Sequence, residues 1–269
     1  MIQMSIHETP YGHLHVQQSG EGTPVLWLHG FLENLNIFHP LIRMYQKPAK
    51  HILIDLPGYG ISSADDAFDF SMPKMAEAVN HILAKLSITN AHIIAHSMGG
   101  YVALQLADKY PDRIKSLLLM HSTAVDDNEQ KKQNRNRTIE VVRQDYTILL
   151  NEFYRNLFYE ANRERFAGEI EYIRRNAGEY ITAETIIRSL EGMRDRPSMI
   201  DMLKNRKFKL RYMIGRHDPL FIASELIAQA LDVDADCDVL EMSGHMGYIE
   251  EKEKCLSLIT SFVESSESV

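Results

Sequence analysis

The first seventeen residues alternate between apolar and polar side chains. Ile2, Met4 and Ile6 are separated by polar residues, so they share one face of an extended strand. A turn at 10–12 follows, and residues 13–17 return as a second strand before the glycine-containing turn at 19–22. This pattern predicts an antiparallel hairpin at the edge of a sheet.

Beyond the hairpin, short runs of residues are apolar on both faces, which is typical of parallel strands covered by helices on both sides. Segments with helical periodicity separate these runs and predict an α/β architecture with a mostly parallel central sheet and right-handed crossovers. The predicted strands are 25–28, 51–54, 91–95, 114–120, 210–214 and 238–242, and the predicted helices are 71–86, 100–109, 223–231 and 248–262.

The segment from Thr123 to Lys207 interrupts this alternation, because it contains helical patterns but no strand pattern. Its 16 basic and 15 acidic residues nearly balance, so the rest of the chain carries the net negative charge. We interpret residues 123–207 as a helical cap, or lid, inserted into a core domain of residues 1–122 and 208–269. Its basic stretch at 135–137 is interpreted as a solvated face, with contact to an anionic substrate as the alternative. The polar tail at 264–269 is predicted to be disordered.

Composition narrows the classes of protein by exclusion. A formal net charge of −8 argues against nucleic-acid binding. The two cysteines, Cys237 and Cys255, are too few for a disulfide framework. The N-terminal residues lack the basic and apolar regions of a secretion signal, and no uncharged apolar run approaches the ~18 residues of a membrane span. We therefore expect a cytoplasmic protein with no membrane span and a small-molecule substrate; its oligomeric state stays open.

The pentapeptide Ala95-His96-Ser97-Met98-Gly99 carries the strongest chemical signal in the chain. It joins a buried strand to a helix, and a serine on such a sharp turn between small residues is a nucleophile elbow. The turn exposes the hydroxyl above the sheet, at a helix N-terminus that favours developing negative charge. Ala95 occupies the position of the first glycine in the usual Gly-x-Ser-x-Gly motif. The alternative is that Ser97 acts only as a helix N-cap, so the residues that would accompany Ser97 in catalysis decide between the two interpretations.

A serine hydroxyl needs a base to accept its proton and an acid to orient that base. In elbow proteins these follow in the order serine, acid, histidine. Asp218 and His245 each follow a late strand, on loops at the edge of the sheet where ligands bind in α/β proteins. The sequence predicts the triad Ser97, Asp218 and His245, with Asp126 as an alternative acid.

Acyl transfer also requires donors for the oxyanion. The backbone N–H of Met98 is one candidate, and the N–H of Phe31, after the strand 25–28, is the other. We expect His29 to hold that loop by hydrogen bonding. His13 and His15 share one strand face, but no third ligand accompanies them, so we predict no metal site. Nothing in the chain requires a cofactor.

Taken together, these motifs resemble those of the α/β-hydrolase superfamily along nearly the whole chain, cap included. The resemblance implies the α/β-hydrolase fold and chemistry that uses no cofactor. It rests on the runs His29-Gly30-Phe31, Asp55-Leu56-Pro57-Gly58-Tyr59-Gly60 and His96-Ser97-Met98-Gly99-Gly100, together with Asp218 and Gly244-His245.

The superfamily covers many substrates. Ser97 argues against epoxide hydrolases and dehalogenases, which resemble this chain elsewhere but use an aspartate at that position. We expect a carboxylesterase-like serine hydrolase (class EC 3.1.1) that cleaves an ester-like bond of a small or medium acyl substrate. A C–C bond hydrolase or a menaquinone-pathway-type lyase is an alternative, although Tyr101 replaces the arginine typical of that lyase. A non-catalytic receptor on the same frame is another.

Overall fold

The structure, a computed structural model, describes residues 2–267. Its centre is an eight-stranded sheet, and the strands are β1 (Gln3–Thr9), β2 (Gly12–Ser19), β3 (Thr23–Leu28), β4 (Ala49–Ile54), β5 (Ala91–His96), β6 (Ile114–Met120), β7 (Lys209–Gly215) and β8 (Asp236–Leu240). Their order in the sheet is β1-β2-β4-β3-β5-β6-β7-β8. The pairs β1–β2 and β2–β4 are antiparallel, and the remaining pairs are parallel. The predicted edge hairpin and mostly parallel sheet are therefore confirmed.

Helices cover both faces of the sheet. They are α1 (His39–Met44), α2 (Met72–Lys85), α3 (Met98–Lys109), α4 (Glu129–Leu157), α5 (Ala167–Gly178), α6 (Ala183–Arg194), α7 (Ile200–Lys204), α8 (Ala223–Asp232), α9 (Gly247–Glu250) and α10 (Lys252–Ser265), with short 3-10 helices at Leu35–Phe38, Pro111–Arg113 and Glu160–Asn162. Ser71 caps α2, since its side chain accepts a hydrogen bond from the Lys74 N–H at 3.3 Å.

The core lies where the central strands are apolar on both faces. Every residue of β5 is buried, and so are the last four residues of β3 and of β4. Burial on both faces explains why these strands read as continuous apolar runs rather than as alternating ones. Parallel pairing of β3 with β5 and of β5 with β6 places the carboxyl ends of these strands at one edge of the sheet.

Three predictions near the C-terminus differ from the structure. The last strand is 236–240 rather than 238–242, because Asp236 and Asp238 pair with Arg211 of β7 and not with the core. The final helix is divided into α9 and α10. The prediction that the tail is disordered is wrong as far as residue 267: α10 continues to Ser265, and Glu267 pairs with Lys115 and His92. Residues 268–269 lie outside the described residues.

Residues 123–207 contain α4 to α7 and one 3-10 helix, and within the described chain no strand falls in this range. The α4 helix packs against both α5 and α6. It is bent at Asp145, whose φ of −162° and ψ of 104° are not helical. Across residues 2–267, we find no helix both long and apolar enough to cross a membrane.

Candidate active site

Ser97 lies at the turn between β5 and α3. Its φ of +50° is in the left-handed region, which costs energy for any residue with a Cβ. Three hydrogen bonds hold the turn: the Ser97 N–H donates to the Met120 carbonyl at 2.9 Å, and the Ser97 carbonyl accepts from the Gly100 N–H and the Ser122 hydroxyl, both at 2.8 Å. A side chain at Gly99 would overlap the Leu28 carbonyl oxygen, so the close approach of helix and strand requires glycine there.

His245 and Asp218 meet beside this turn. The His245 Nδ1 lies 2.8 Å from the Asp218 Oδ2, and both side chains are buried. The other carboxylate oxygen accepts from the N–H groups of Leu220 and Phe221, at 2.8 and 3.2 Å. Three hydrogen bonds thus hold the carboxylate in place, which fixes the orientation of the imidazole that it contacts.

Asp218 is an ionised carboxylate in this site. Burial by itself would raise its pKa, but the charge of His245, its hydrogen bond to the carboxylate and the nearby His121 ring hold the pKa well below the ordinary value. His121 is the second neighbour, with its Nδ1 3.5 Å from the Asp218 Oδ2. Burial lowers the pKa of His121 to about 4 despite this carboxylate, so His121 is a neutral ring at neutral pH.

The alternative acid does not reach His245. Asp126 is exposed on the loop after β6, whereas its neighbour Asp127 is buried and pairs with Arg135 and with Arg196, at 2.8 Å for the latter. The structure therefore brings Asp218 and not Asp126 to the histidine. The interpretation of Arg135 as a solvated residue is wrong, because the charge of Asp127 holds it against the body of the protein.

The loop after β3 approaches the same turn. His29 holds it as predicted: its Nδ1–H donates to the Gly30 carbonyl at 2.8 Å, and its Nε2 accepts from the Leu56 N–H at 3.0 Å. Within residues 2–267, the N–H groups of Phe31 and Met98 have no protein acceptor. Stabilising an oxyanion requires donors that are not already paired, and these two N–H groups have no partner within the described residues.

A buried glutamate that the sequence analysis missed joins these loops. The Glu33 Oε2 accepts from the Gly30 N–H at 2.6 Å and lies 2.9 Å from the His96 Nδ1, while its Oε1 accepts from the Tyr248 hydroxyl at 2.9 Å. The other ring nitrogen of His96 lies 3.0 Å from the His245 carbonyl oxygen. Both nitrogens of His96 therefore face acceptors, so the ring is protonated and forms an ion pair with Glu33.

A cavity of about 560 Å³ opens above Ser97. The core contributes Phe31, Tyr101 and Phe221 to its wall, and residues of the helical segment 123–207 complete it. The segment is fastened to the core on the His245 side, where the His245 N–H donates to the Leu157 carbonyl at 2.8 Å. Glu250 strengthens this join by accepting from the N–H groups of Gly244 and Tyr159, at 2.9 and 3.0 Å.

The four aromatic residues near the end of α4 have different surroundings. Phe153 lines the cavity and packs edge-on against Phe31, with ring centroids 5.8 Å apart. Tyr154 is buried and donates to the Leu32 carbonyl at 2.7 Å. The other two pack elsewhere, Phe158 against Phe166 and Tyr159 in a parallel stack on His217. Only Phe153 of this group faces the space above Ser97.

The predicted absence of a metal at the first strand pair stays a prediction. His13 is exposed beside Ser63, and the buried His15 places its Nδ1 2.8 Å from the Asp55 Oδ2. In the part of the chain that the structure describes, one group offers three ligand atoms within 4.8 Å of one another, namely His121, Asp218 and His245. Two of its members are the predicted acid and base.

The comparison with known proteins agrees with this fold. The family model of the alpha/beta hydrolase fold matches residues 23–252. The chain belongs to this family. A thermophilic esterase from Thermogutta terrifontis, solved with malate bound, superimposes with a TM-score of 0.87 at 26% identity and covers 98% of this chain and 99% of its own.

Two curated relatives match over a shorter stretch. A pimeloyl-acyl-carrier-protein methyl ester esterase from Aeromonas hydrophila is 33% identical over 108 residues, which are 40% of this chain and 41% of that protein. A serine hydrolase-like protein from Danio rerio is 34% identical over 114 residues, which are 41% of this chain and 35% of that protein. The chain thus matches about two fifths or less of the length of each.

Proposed function

We propose that this family member is a serine hydrolase that cleaves an ester-like bond of a small or medium acyl substrate, with Ser97 as nucleophile, His245 as base and Asp218 as the orienting acid. The observation that carries the proposal is the buried contact of 2.8 Å between the His245 Nδ1 and the Asp218 Oδ2. A carboxylate at that nitrogen holds the proton on Nδ1 and leaves Nε2 as the free base. The esterases among its relatives support the same chemistry.

In the first half of the reaction, the Ser97 oxygen forms a bond to the carbonyl carbon and its proton passes to the Nε2 of His245. The N–H groups of Phe31 and Met98 donate to the oxygen that becomes negative. The carbon–oxygen bond to the leaving group then breaks, and the leaving alkoxide takes the proton from His245. An alcohol departs, and the acyl group remains on Ser97.

In the second half, water repeats the attack. His245 accepts a proton from water as the hydroxyl oxygen bonds to the acyl carbon, and the ester bond to Ser97 breaks as the serine recovers that proton. The carboxylic acid leaves, and no cofactor or metal takes part. We also propose that residues 123–207 act as the cap of this site, over a core of residues 1–122 and 208–269, since they line the cavity that contains Ser97.

The test combines labelling with turnover. The purified protein is treated with a fluorophosphonate, and p-nitrophenyl esters from acetate to palmitate are assayed beside a thioester panel. We expect covalent labelling of Ser97 and hydrolysis of at least the shorter esters. In Ser97→Ala, both should disappear, with turnover reduced on the order of 10⁴-fold or more.

Four outcomes would overturn the proposal. Labelling at another serine, or full activity of Ser97→Ala, would exclude the assigned nucleophile. Labelling at Ser97 without turnover of any ester or thioester would favour a C–C bond hydrolase or a lyase, which uses the same side chains. Absence of both labelling and turnover in folded protein would favour a receptor.

A further inference from the structure

Lys131 lies in the first turn of α4, on the wall of the cavity that contains Ser97. Asn128 fixes this turn, because its side chain accepts from the Lys131 N–H at 2.9 Å. The Lys131 Nζ lies 5.1 Å from the centre of the Phe221 ring, and that ring packs 5.8 Å from the ring of His245. A single aromatic ring therefore separates this cation from the proposed base.

Lys131 has no counter-ion. No carboxylate oxygen in residues 2–267 lies within salt-bridge distance of its Nζ, and none of the described residues accepts a hydrogen bond from it. Its neighbour Lys132 behaves differently, since it faces solvent and pairs with Glu129 at 3.2 Å. Within one helical turn, the chain thus has one paired lysine on the outside and one unpaired lysine in the cavity.

The nearby acidic groups leave this charge uncompensated. Asp127 also lines the cavity, but its two oxygens are occupied by the guanidinium groups of Arg135 and Arg196. Glu225 reaches the wall as an exposed residue beyond pairing distance of Lys131. Arg135 and Arg196 therefore neutralise Asp127, and Lys131 is left without a paired carboxylate among the described residues.

Half-burial of Lys131 is unfavourable without an anion. Burial lowers the pKa of its ammonium group, against the charge of Asp127, which raises it. The face of Phe221 offsets part of this penalty through a cation–π contact, but a ring supplies no hydrogen-bond acceptor. A carboxylate or phosphate oxygen in the cavity would accept from Nζ in a charge-assisted hydrogen bond and restore the balance.

We propose that Lys131 binds an anionic group, a carboxylate or a phosphate, on the ester substrate, so that this cavity selects esters that carry a negative charge. This inference rests on the proposed function, because it requires that Ser97 act on an ester in the same cavity. The apolar side chains of Phe153, Leu190 and Met193 line other parts of the wall, which suits a short carbon chain between the anion and the scissile carbonyl.

The experiment compares matched esters in wild-type protein and in lysine variants. The first pair is mono-p-nitrophenyl glutarate and p-nitrophenyl valerate, which differ in a carboxylate on the acyl side. The second pair is 3-acetoxybenzoate and phenyl acetate, which differ in a carboxylate on the alcohol side. For each pair, the measured quantity is the ratio of kcat/KM for the anionic ester to that for the neutral one.

We expect Lys131→Gln to lower this ratio about tenfold in at least one pair, as loss of a hydrogen bond between charged groups predicts. Lys131→Arg should retain most of the ratio, and Lys132→Gln should leave it unchanged. In wild-type protein the ratio should also fall as the salt concentration rises, and this dependence should be weaker in Lys131→Gln.

A ratio that changes less than twofold in Lys131→Gln for both pairs, in folded protein that still hydrolyses the neutral esters, would overturn the inference and leave the proposed function intact. An equal drop in Lys132→Gln would also overturn it, because the effect would then come from surface charge. Failure of the proposed function would give a different result, because the wild-type protein would then hydrolyse no ester of either pair.

Discussion

Glu33 and His96 form a buried ion pair, with 2.9 Å between the Glu33 Oε2 and the His96 Nδ1 and almost no exposure of either side chain. The pair ties together the three segments that the proposed mechanism needs. Glu33 holds the Gly30 N–H of the oxyanion loop, His96 precedes Ser97, and the second nitrogen of His96 holds the His245 carbonyl. Its function in this arrangement is to position these segments, since neither side chain lines the cavity above Ser97.

The first prediction concerns the stability that this pair provides. Glu33→Gln should lower the free energy of unfolding by about 3 kcal/mol, because it removes the counter-ion of a buried cation. Glu171→Gln is the matched control: Glu171 pairs with Arg174 and Arg175 on the surface, where ion pairs contribute little. Chemical denaturation of the two variants and the wild type measures the difference. An equal, small loss in both would contradict a stabilising buried pair.

The same pair predicts a dependence on pH. The pKa of His96 is raised, because the charge of Glu33 outweighs the effect of burial, which lowers it. The stabilisation by His96 is therefore fully present below the ordinary histidine pKa of 6.5 and is lost as pH rises through the pKa of His96 in the folded protein. The pKa of Glu33 is lowered despite its burial. The stabilisation by Glu33 is therefore present above the ordinary glutamate pKa of 4.5 and is lost as pH falls through the pKa of Glu33 in the folded protein. The Tm difference between wild type and Glu33→Gln should therefore be largest between about pH 4.5 and 6.5 and should narrow toward pH 9. A difference that widens above pH 7 would contradict this assignment of charges.

The second prediction concerns the strain at Ser97. At a φ of +50° and ψ of −118°, a residue with a Cβ is strained by an amount on the order of 1–3 kcal/mol. Glycine removes this strain but is more flexible in the unfolded chain, so Ser97→Gly should be more stable than Ser97→Ala by about 1 kcal/mol. Both variants lack the hydroxyl and should be inactive. Thermal unfolding of the two variants measures the difference, and equal stability of Ser97→Ala and Ser97→Gly would contradict the prediction.

The parts of the fold that the sequence predicts are those with a local pattern. Residues 25–28 are apolar throughout and residues 91–95 are apolar except for His92, because both faces of those strands are buried, so the sequence predicts both strands. The strand 236–240 begins with Asp236 and Asp238, whose pairing with Arg211 comes from the neighbouring strand and leaves no apolar pattern. The order of the tail depends likewise on Glu267 contacting Lys115, a residue far away in the sequence.

The residues of the site likewise divide into those that the sequence predicts and those that it does not. The elbow around Ser97 and the glycine-flanked loops of Asp218 and His245 have recognisable local sequences, and the structure brings the acid and the histidine together. Glu33 has no such signal, because a single acidic residue in a loop resembles any solvated one. Its burial results from the meeting of His96, Tyr248 and Gly30, which lie at the end of β5, in α9 and in the loop after β3 and come together only in the folded chain.

The third prediction separates the two candidate acids. Asp218→Asn should place an amide against the His245 Nδ1 and favour the wrong tautomer, with a loss of turnover on the order of 10⁴-fold. Asp126→Asn should stay within about twofold of wild type, since surface substitutions have small effects. The assay is hydrolysis of p-nitrophenyl acetate, with circular dichroism to verify folding. The reverse result would exclude Asp218 as the acid, while the assignment of Ser97 could stand.

The last prediction concerns acyl-chain length. Phe153 lines the cavity and packs on Phe31, so Phe153→Ala should lengthen the space available to the acyl chain. Longer chains can then bury additional methylene groups, each worth about 0.8 kcal/mol. The ratio of kcat/KM for p-nitrophenyl octanoate to that for the acetate should therefore rise about tenfold. Tyr159→Ala is the matched control, because Tyr159 stacks on His217 and does not line the cavity. The same length preference in wild type and in folded Phe153→Ala would remove Phe153 as a determinant of specificity, and an equal shift in Tyr159→Ala would point to general loosening of the cap.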